Sequence, residues 1–408
     1  MTHRRRGTGA HRSQLAASAA VSPDPLPLSL YVHVPWCVRK CPYCDFNSHA
    51  SGASRLPEAT YVSALLADLD FELRGLPPRP LQSIFIGGGT PSLFSAEAIG
   101  RLLRGIGNRL DLAIGCEITL EANPGTVEAR RFAGFRAAGI NRLSIGAQSF
   151  HSGHLKALGR IHDGTQSRRA IQTARSAGFS NLNIDLMFGL PEQTVTQAVA
   201  DATTACELDP THVSLYQLTI EPNTYFATHP PELPDEDTIW NMFEACRSVL
   251  DRADYTQYEV SAYARAGHRC RHNLNYWRFG DYLGIGAGAH GKVTDRPSDT
   301  IVRRARVRQP RRYLDTAGTA EAIASSRGLG LEDRIVEYMM NALRLVEGVG
   351  LREALCRTGL GRQDLEPGLG RARSRALLVP DRDRIQATPL GLRFLNDLLA
   401  GFVPDGSA

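Results

Sequence analysis

The sequence predicts an α/β fold: a parallel sheet of repeating strand–helix units, then a smaller helical, winged-helix-like unit. Three observations carry this. Short apolar runs alternate with periodic helical stretches over the first half of the chain. Residues able to do chemistry fall at or just after the ends of those runs, the edge where parallel β/α folds bind ligands. The composition then shifts near residue 330.

The runs are LSLYVHV (28–34), LQSIFIGG (81–88), CEITLEAN (116–123), NRLSIGAQ (141–148), NLNIDLMFG (181–189) and HVSLYQL (212–218). Each reads as a buried strand. Helical stretches follow at 57–75, 95–109, 126–138, 164–178 and 193–208. Six strands are too few for a full eight-stranded barrel and suit an open or partial barrel, or a doubly wound sheet. Past residue 220 the alternation stops. Residues 235–253 read as a helix, YEVSAYA (258–264) as a strand, and 270–291 as a loop rich in glycine and aromatics. Helices at 332–346 and 350–357, a hairpin in LLVPDRDRIQAT and a last helix from Pro389 to Phe402 complete the chain. The expected units are a disordered basic tail (1–27), a barrel (28–220), its extension (221–329) and the C-terminal unit (330–408).

The chain has 408 residues, 42% hydrophobic and 22% charged, ordinary for a soluble globular protein. It has no apolar run of membrane-spanning length. After Arg4, Arg5 and Arg6 the tail is too polar for a signal peptide, so a cytoplasmic location is expected. Those arginines and Arg12 supply much of the formal charge of +5, and the remainder makes no general case for nucleic acid. The last helix offers only Arg393 as a base, which argues against DNA. A second basic run, VRRARVRQPRRY, holds Arg303, Arg304, Arg306, Arg308, Arg311 and Arg312. It reads either as a solvated loop or as a clamp for carboxylates. Peripheral membrane contact and a choice between monomer and dimer stay open.

Of eight cysteines, three crowd one loop, as Cys37–x3–Cys41–x2–Cys44. Cys116, Cys206 and Cys246 read as small core residues. In a reducing compartment the crowded three suggest metal. A 4Fe–4S cubane is usually held by four thiolates, so three leave one iron open. That iron can chelate the amino and carboxylate groups of S-adenosylmethionine. A zinc site completed by His33 or His49 is the competing reading. Gly87–Gly88–Gly89–Thr90–Pro91 follows the second strand, where glycines let backbone approach a ligand with free N–H and C=O groups. Glu121 and Asp185 suit ribose hydroxyls or an ammonium, Arg160 a carboxylate, and Gln148 stands at the same strand edge.

The x3–x2 cysteine spacing after a first strand is similar to that of radical S-adenosylmethionine proteins. Together, LYVHVPWCVRKCPYCDFNSH, GGGTPS, GAQSF, LGRIH, NIDLMFGLPEQT, YEVSAYA, HNLNYW and YLGIGAGAH resemble the oxygen-independent coproporphyrinogen III oxidase-like family. The likeness spans about residues 28–402 and is greater to the HemW-type heme chaperone branch. It implies a partial (β/α)6 barrel with a C-terminal helical domain. It also implies that Tyr31, Tyr43, Gly88, Gly89, Thr90, Glu121, Gln148, Arg160 and Asp185 surround S-adenosylmethionine.

The dehydrogenase branch of that family decarboxylates coproporphyrinogen III and carries a fourth cysteine where this chain has Phe46. HNLNYW marks the chaperone branch and implies heme binding and transfer to an acceptor protein. His272 can ligate iron as a neutral imidazole, with Tyr276 and Trp277 against the porphyrin. A packed aromatic loop with a hydrogen-bonded histidine is the alternative. Cys270 lies two residues earlier, but no heme-attachment motif is present. No catalytic residue is assigned. Coproporphyrinogen III dehydrogenation is the competing function.

Overall fold

The computed structural model describes residues 26–51, 56–125 and 130–403. The basic tail lies outside these residues, apart from its last two positions.

Six β/α units come first. Strands β1 (Leu28–Val34), β2 (Leu81–Gly88), β3 (Leu112–Ala122), β4 (Arg142–Gln148), β5 (Asn181–Phe188) and β6 (His212–Gln217) form a parallel run. Helices α1 (Glu58–Glu72), α2 (Ala96–Gly107), α3 (Phe132–Ala138), α4 (Gly164–Ser176), α5 (Val195–Glu207) and α6 (Glu236–Arg252) follow them in turn. Side-chain caps fix several helix starts. Ser95 accepts from Ala98 N–H and Asp235 from Thr238 N–H, while Asp163 and Thr194 close capping boxes with Gln166 and Gln197. On β1, Leu28, Leu30, Val32 and Val34 are buried in the main core, and Ser29 and His33 are buried on the alternate face. Burial on both faces explains the nearly continuous apolar runs.

The chain forms the partial (β/α)6 barrel expected, and the sheet then grows beyond it. Strands β7 (Thr256–Glu259) and β8 (Ala262–Ala264) form an antiparallel hairpin on β6, where one strand was expected. The region read as a loop at 270–291 is ordered secondary structure. It contains helix α7 (Arg271–Trp277) and strand β9 (Asp281–Ile285), and β9 pairs parallel with β1. Strands β10 (His290–Asp295), β11 (Thr300–Arg306) and β12 (Ile323–Gly328) continue antiparallel outward. The full sheet has twelve strands, in the order β12-β11-β10-β9-β1-β2-β3-β4-β5-β6-β8-β7.

Buried charges hold this extension. Asp281 accepts from Arg79 at 2.8 Å, from Lys292 at 3.0 Å and from the Thr294 hydroxyl at 2.8 Å. On β11, Arg306 donates its Nε to Asp68 of α1 at 2.8 Å and a terminal nitrogen to Glu72. Arg304 pairs with Glu72 and Arg303 with Glu337. So three members of the basic run serve neither as a solvated loop nor as a clamp for outside carboxylates. They tie a strand to the chain's own acids.

The C-terminal unit packs a second core. Helix α8 (Pro310–Thr316) leads to α9 (Leu331–Ala342), α10 (Leu351–Thr358) and α11 (Arg362–Ser374). Strand β13 (Val349–Gly350) pairs with β14 (Arg384–Ile385), and the first arm of the expected hairpin adds a single bridge, Leu378 to Ala387. The last helix breaks at Phe394 (φ −110°, ψ 48°) into α12 (Pro389–Arg393) and α13 (Leu395–Ala400). No helix among the described residues is long and apolar enough to cross a membrane.

Candidate functional site

The C-terminal ends of the parallel strands surround a cavity of about 470 Å³. Its wall includes Cys37, Cys41, Tyr43 and Cys44 from the loop after β1, and Gly88, Gly89 and Thr90 from the end of β2. Glu121, Gln148, Arg160 and Asp185 also line it. Parallel strands in register explain the convergence, since each delivers its last residues to the same edge.

Each thiol sulfur has a polar hydrogen-bond partner. Thr90 Oγ1 lies 3.5 Å from Cys37 Sγ, and Arg160 Nη1 lies 3.7 Å from Cys41 Sγ. Ser48 Oγ stands 3.7 Å from Cys44 Sγ. Burial pushes the Cys37 and Cys44 thiols up, and the Thr90 and Ser48 hydroxyls pull against it. Among the described residues, no group of His, Cys, Asp and Glu side chains is arranged around a single metal ion. A cubane instead takes each thiolate on its own iron, and donors to its sulfurs tune its potential.

The glycine turn works differently from expectation. Its N–H groups are not free: Gly88 donates to Glu121 Oε2 at 3.1 Å, Gly89 to Val34 O and Thr90 to Trp36 O. The glycines are required by close packing on the cysteine loop. Gly88 has φ +114°, and a Cβ there would sit 2.5 Å from the His33 ring. A Cβ at Gly89 would lie 2.5 Å from Trp36 O.

Burial and then the Asp185 charge push the Glu121 carboxyl up to about 7, against the bond from Gly88. Asp185 is raised by burial, while bonds from Asn183 and Ser144 favour its charged form. Arg160 donates to Asn123 Oδ1 at 2.6 Å and Gly146 O at 2.9 Å, and its buried Nε has no partner. Gln148 ends β4 with φ 65°, a left-handed conformation uncommon for a side-chain-bearing residue.

Four expected residues stand away from the cavity wall. Tyr31 shares a 3.0 Å hydrogen bond with His33 Nδ1 and stacks near Phe85. His272, Tyr276 and Trp277 lie on α7. His272 is 1% exposed, with Nδ1 at 2.9 Å from Ser83 Oγ and Nε2 at 2.9 Å from Tyr276 Oη. Burial, then the Arg142 charge, lowers its pKa to about 3, so the ring is neutral. Trp277 packs on the C-terminal core beneath the Arg344 guanidinium. Both imidazole nitrogens are thus engaged within the chain. Cys270 is likewise buried, at 3.5 Å from Glu117 Oε1.

Sequence reasoning missed Asn123, Ser144 and Tyr216, which also line the cavity. Asn123 joins two walls, donating to Thr90 Oγ1 at 2.9 Å while accepting from Arg160. Its place at the end of EITLEAN, two residues after Glu121, was the available signal.

Residues 31–203 match the Radical SAM superfamily and residues 329–394 the HemN C-terminal domain. The chain is 49% identical over 383 residues to the heme chaperone HemW of Haemophilus influenzae, covering 93% of this chain and 98% of that one. It is 49% identical over 379 residues to the heme chaperone HemW of Escherichia coli, covering 93% and 99%. The solved coproporphyrinogen III oxidase HemN of Escherichia coli superposes with a TM-score of 0.78 at 22% identity, over 93% of this chain and 90% of that one, a likeness of fold. With the cysteine loop, the barrel and the C-terminal unit all matched along nearly the whole chain, this protein belongs to the HemW heme chaperone family, within the radical SAM superfamily.

Proposed function

We propose that this chain is a heme chaperone: it binds heme and passes it to an acceptor protein, and it carries a 4Fe–4S cluster and S-adenosylmethionine in the barrel. The observation that supports the cofactor part is the cavity in which three thiols, each beside its own polar neighbour, share a wall with two partly buried carboxylates. Cys37, Cys41 and Cys44 would hold the cluster. Tyr43, Gly88, Gly89, Thr90, Glu121, Gln148, Arg160 and Asp185 would surround S-adenosylmethionine, with Tyr31 supporting the wall from behind through His33. When bound, such a cluster supplies an open iron for the methionine end and an electron for the sulfonium. The unpartnered Nε of Arg160 leaves a buried donor at this wall.

The family relationship supports the heme part. His272 reaches a heme iron only if its bonds to Ser83 and Tyr276 break and α7 lifts from β2. Residues 28–220, 221–329 and 330–408 are proposed to act as cofactor barrel, extension and packing unit. Hemin added to the purified chain is expected to shift its Soret band saturably. Anaerobic incubation with coproporphyrinogen III and S-adenosylmethionine is expected to give no protoporphyrinogen IX. Product formation would favour the dehydrogenase instead.

Glu121 offers a test with two signs. In the cofactor-free chain its folded pKa of about 7 exceeds the ordinary glutamate value. The folded state therefore holds the proton, and stability from this group is lost as pH rises from about 4.5 to about 7. Glu121→Gln removes that loss. Thermal unfolding of the apo variant is expected to be raised above wild type at pH 8 and equal to it near about pH 4, below the unfolded pKa. The same change is expected to weaken S-adenosylmethionine binding about tenfold, through one lost charge-assisted hydrogen bond. Equal melting at both pH values would contradict the assignment.

A further inference from the structure

The outer rim of the cysteine loop carries an exposed aromatic ring near exposed cations that form no ion pair among the described residues. Phe46 is 59% exposed, the most of any phenylalanine among the described residues. Lys40 Nζ rests 3.2 Å from Phe46 O. On the other side, Asn47 Nδ2 donates to Arg308 O at 2.8 Å and to Ala287 O at 2.9 Å, which fixes the start of the Arg308 segment beside the loop. Arg308 is exposed, as are Arg39 and Lys40. None of the three forms an ion pair among the described residues. By contrast, Arg303, Arg304 and Arg306 of the same basic run are all paired. Asp45 is the one acid on the loop, against Arg39, Lys40 and Arg308. Phe46, Arg39 and Asp45 also line the edge of the cavity, so the patch is continuous with its mouth.

An exposed apolar ring flanked by separated cations fits an amphipathic ligand with a flat apolar face and carboxylates on its edge. A free phosphate would not use the ring, and an extended acidic peptide would not need its flat face. We infer that this rim is a docking site for heme, with the macrocycle against Phe46 and the propionates paired with Lys40 and Arg308. The inference rests on the heme-chaperone reading and gives that reading a place on the surface. It needs no movement of α7. His49 stands beside it, with its ring within 3.3 Å of Asn47 Oδ1.

The test is a hemin titration of the cluster-loaded full chain, with hemin dimethyl ester as the probe lacking propionate charge. Wild type is expected to bind hemin at least tenfold more tightly than the ester. The Lys40→Glu, Arg308→Glu double variant is expected to lose at least tenfold in hemin affinity while binding the ester as wild type does. Arg308→Gln alone is expected to lose about threefold, one carboxylate contact being weakened at an exposed site. Arg375→Glu, on the C-terminal unit, controls for net charge and is expected to stay within twofold. Undiminished hemin binding by the double variant, or an equal loss for hemin and ester, would overturn the inference and leave the chaperone reading standing. If wild type shows no saturable hemin binding, the chaperone reading falls and this inference with it.

Discussion

Replacing any one of Cys37, Cys41 or Cys44 with alanine is expected to leave the chain with less than about a tenth of wild-type iron after anaerobic reconstitution, since each thiolate would hold its own iron. The eight cysteines make the experiment its own control. Cys116 and Cys246 are buried in the main core, and their thiols are pushed up by burial to about 11 and about 12. Alanine at either is expected to keep full iron content. Near-normal iron in a Cys41→Ala protein would show that the loop does not hold the cluster as proposed. A Thr90→Val change removes the donor to Cys37 Sγ and the acceptor of Asn123 Nδ2 but no thiolate, so it is expected to shift the cluster potential while iron is retained.

The largest stability effect is expected at Asp68. Its carboxylate accepts from Arg306 Nε at 2.8 Å, from Tyr313 Oη at 2.7 Å and from Gly286 N–H at 3.3 Å. One buried group on α1 thus ties together β11, α8 and the end of β9. Asp68→Ala leaves the buried Arg306 guanidinium with Glu72 alone and the Tyr313 hydroxyl without its acceptor, and removing one side of a buried pair costs about 3–5 kcal/mol. Urea unfolding is expected to show a loss of that size. A loss under about 1 kcal/mol would mean that water replaces the carboxylate and that the cluster of charges is not sealed.

The same residues explain what could be read in advance. The six β/α units were legible because each strand is a short apolar run buried on both faces, and because the helix caps are local in sequence. The cavity wall was legible for a related reason: cysteines, glycines and carboxylates at strand ends mark one edge of a parallel sheet. Strand β9 was hidden. DYLGI is short, begins with an acid and is flanked by Gly280 and Gly286, so it resembles a turn. Its meaning comes from β1, some 250 residues earlier, and from Arg79 and Lys292 closing on Asp281.

Strand β11 was hidden by its arginines. A run of like charge reads as solvated unless its partners are known, and Asp68 and Glu72 lie far away in α1. His272 shows the same limit. The spacing of HNLNYW leaves an open ligand and a packed core histidine equally available, and only Ser83 and Tyr276 on its two nitrogens distinguish them. Arg308 was grouped with the paired arginines by sequence alone. The hydrogen bond from Asn47 sets it apart.

Heme transfer tests whether the cavity and its rim serve a heme carrier: the cluster-loaded chain is saturated with hemin, separated from excess, and mixed with an apo-hemoprotein while the Soret bands are followed. A saturable complex is expected to survive separation and then yield its heme to the acceptor faster than free hemin is taken up from solution. A chain that retains no hemin through separation, or one that holds it and gives none to the acceptor, would contradict that role.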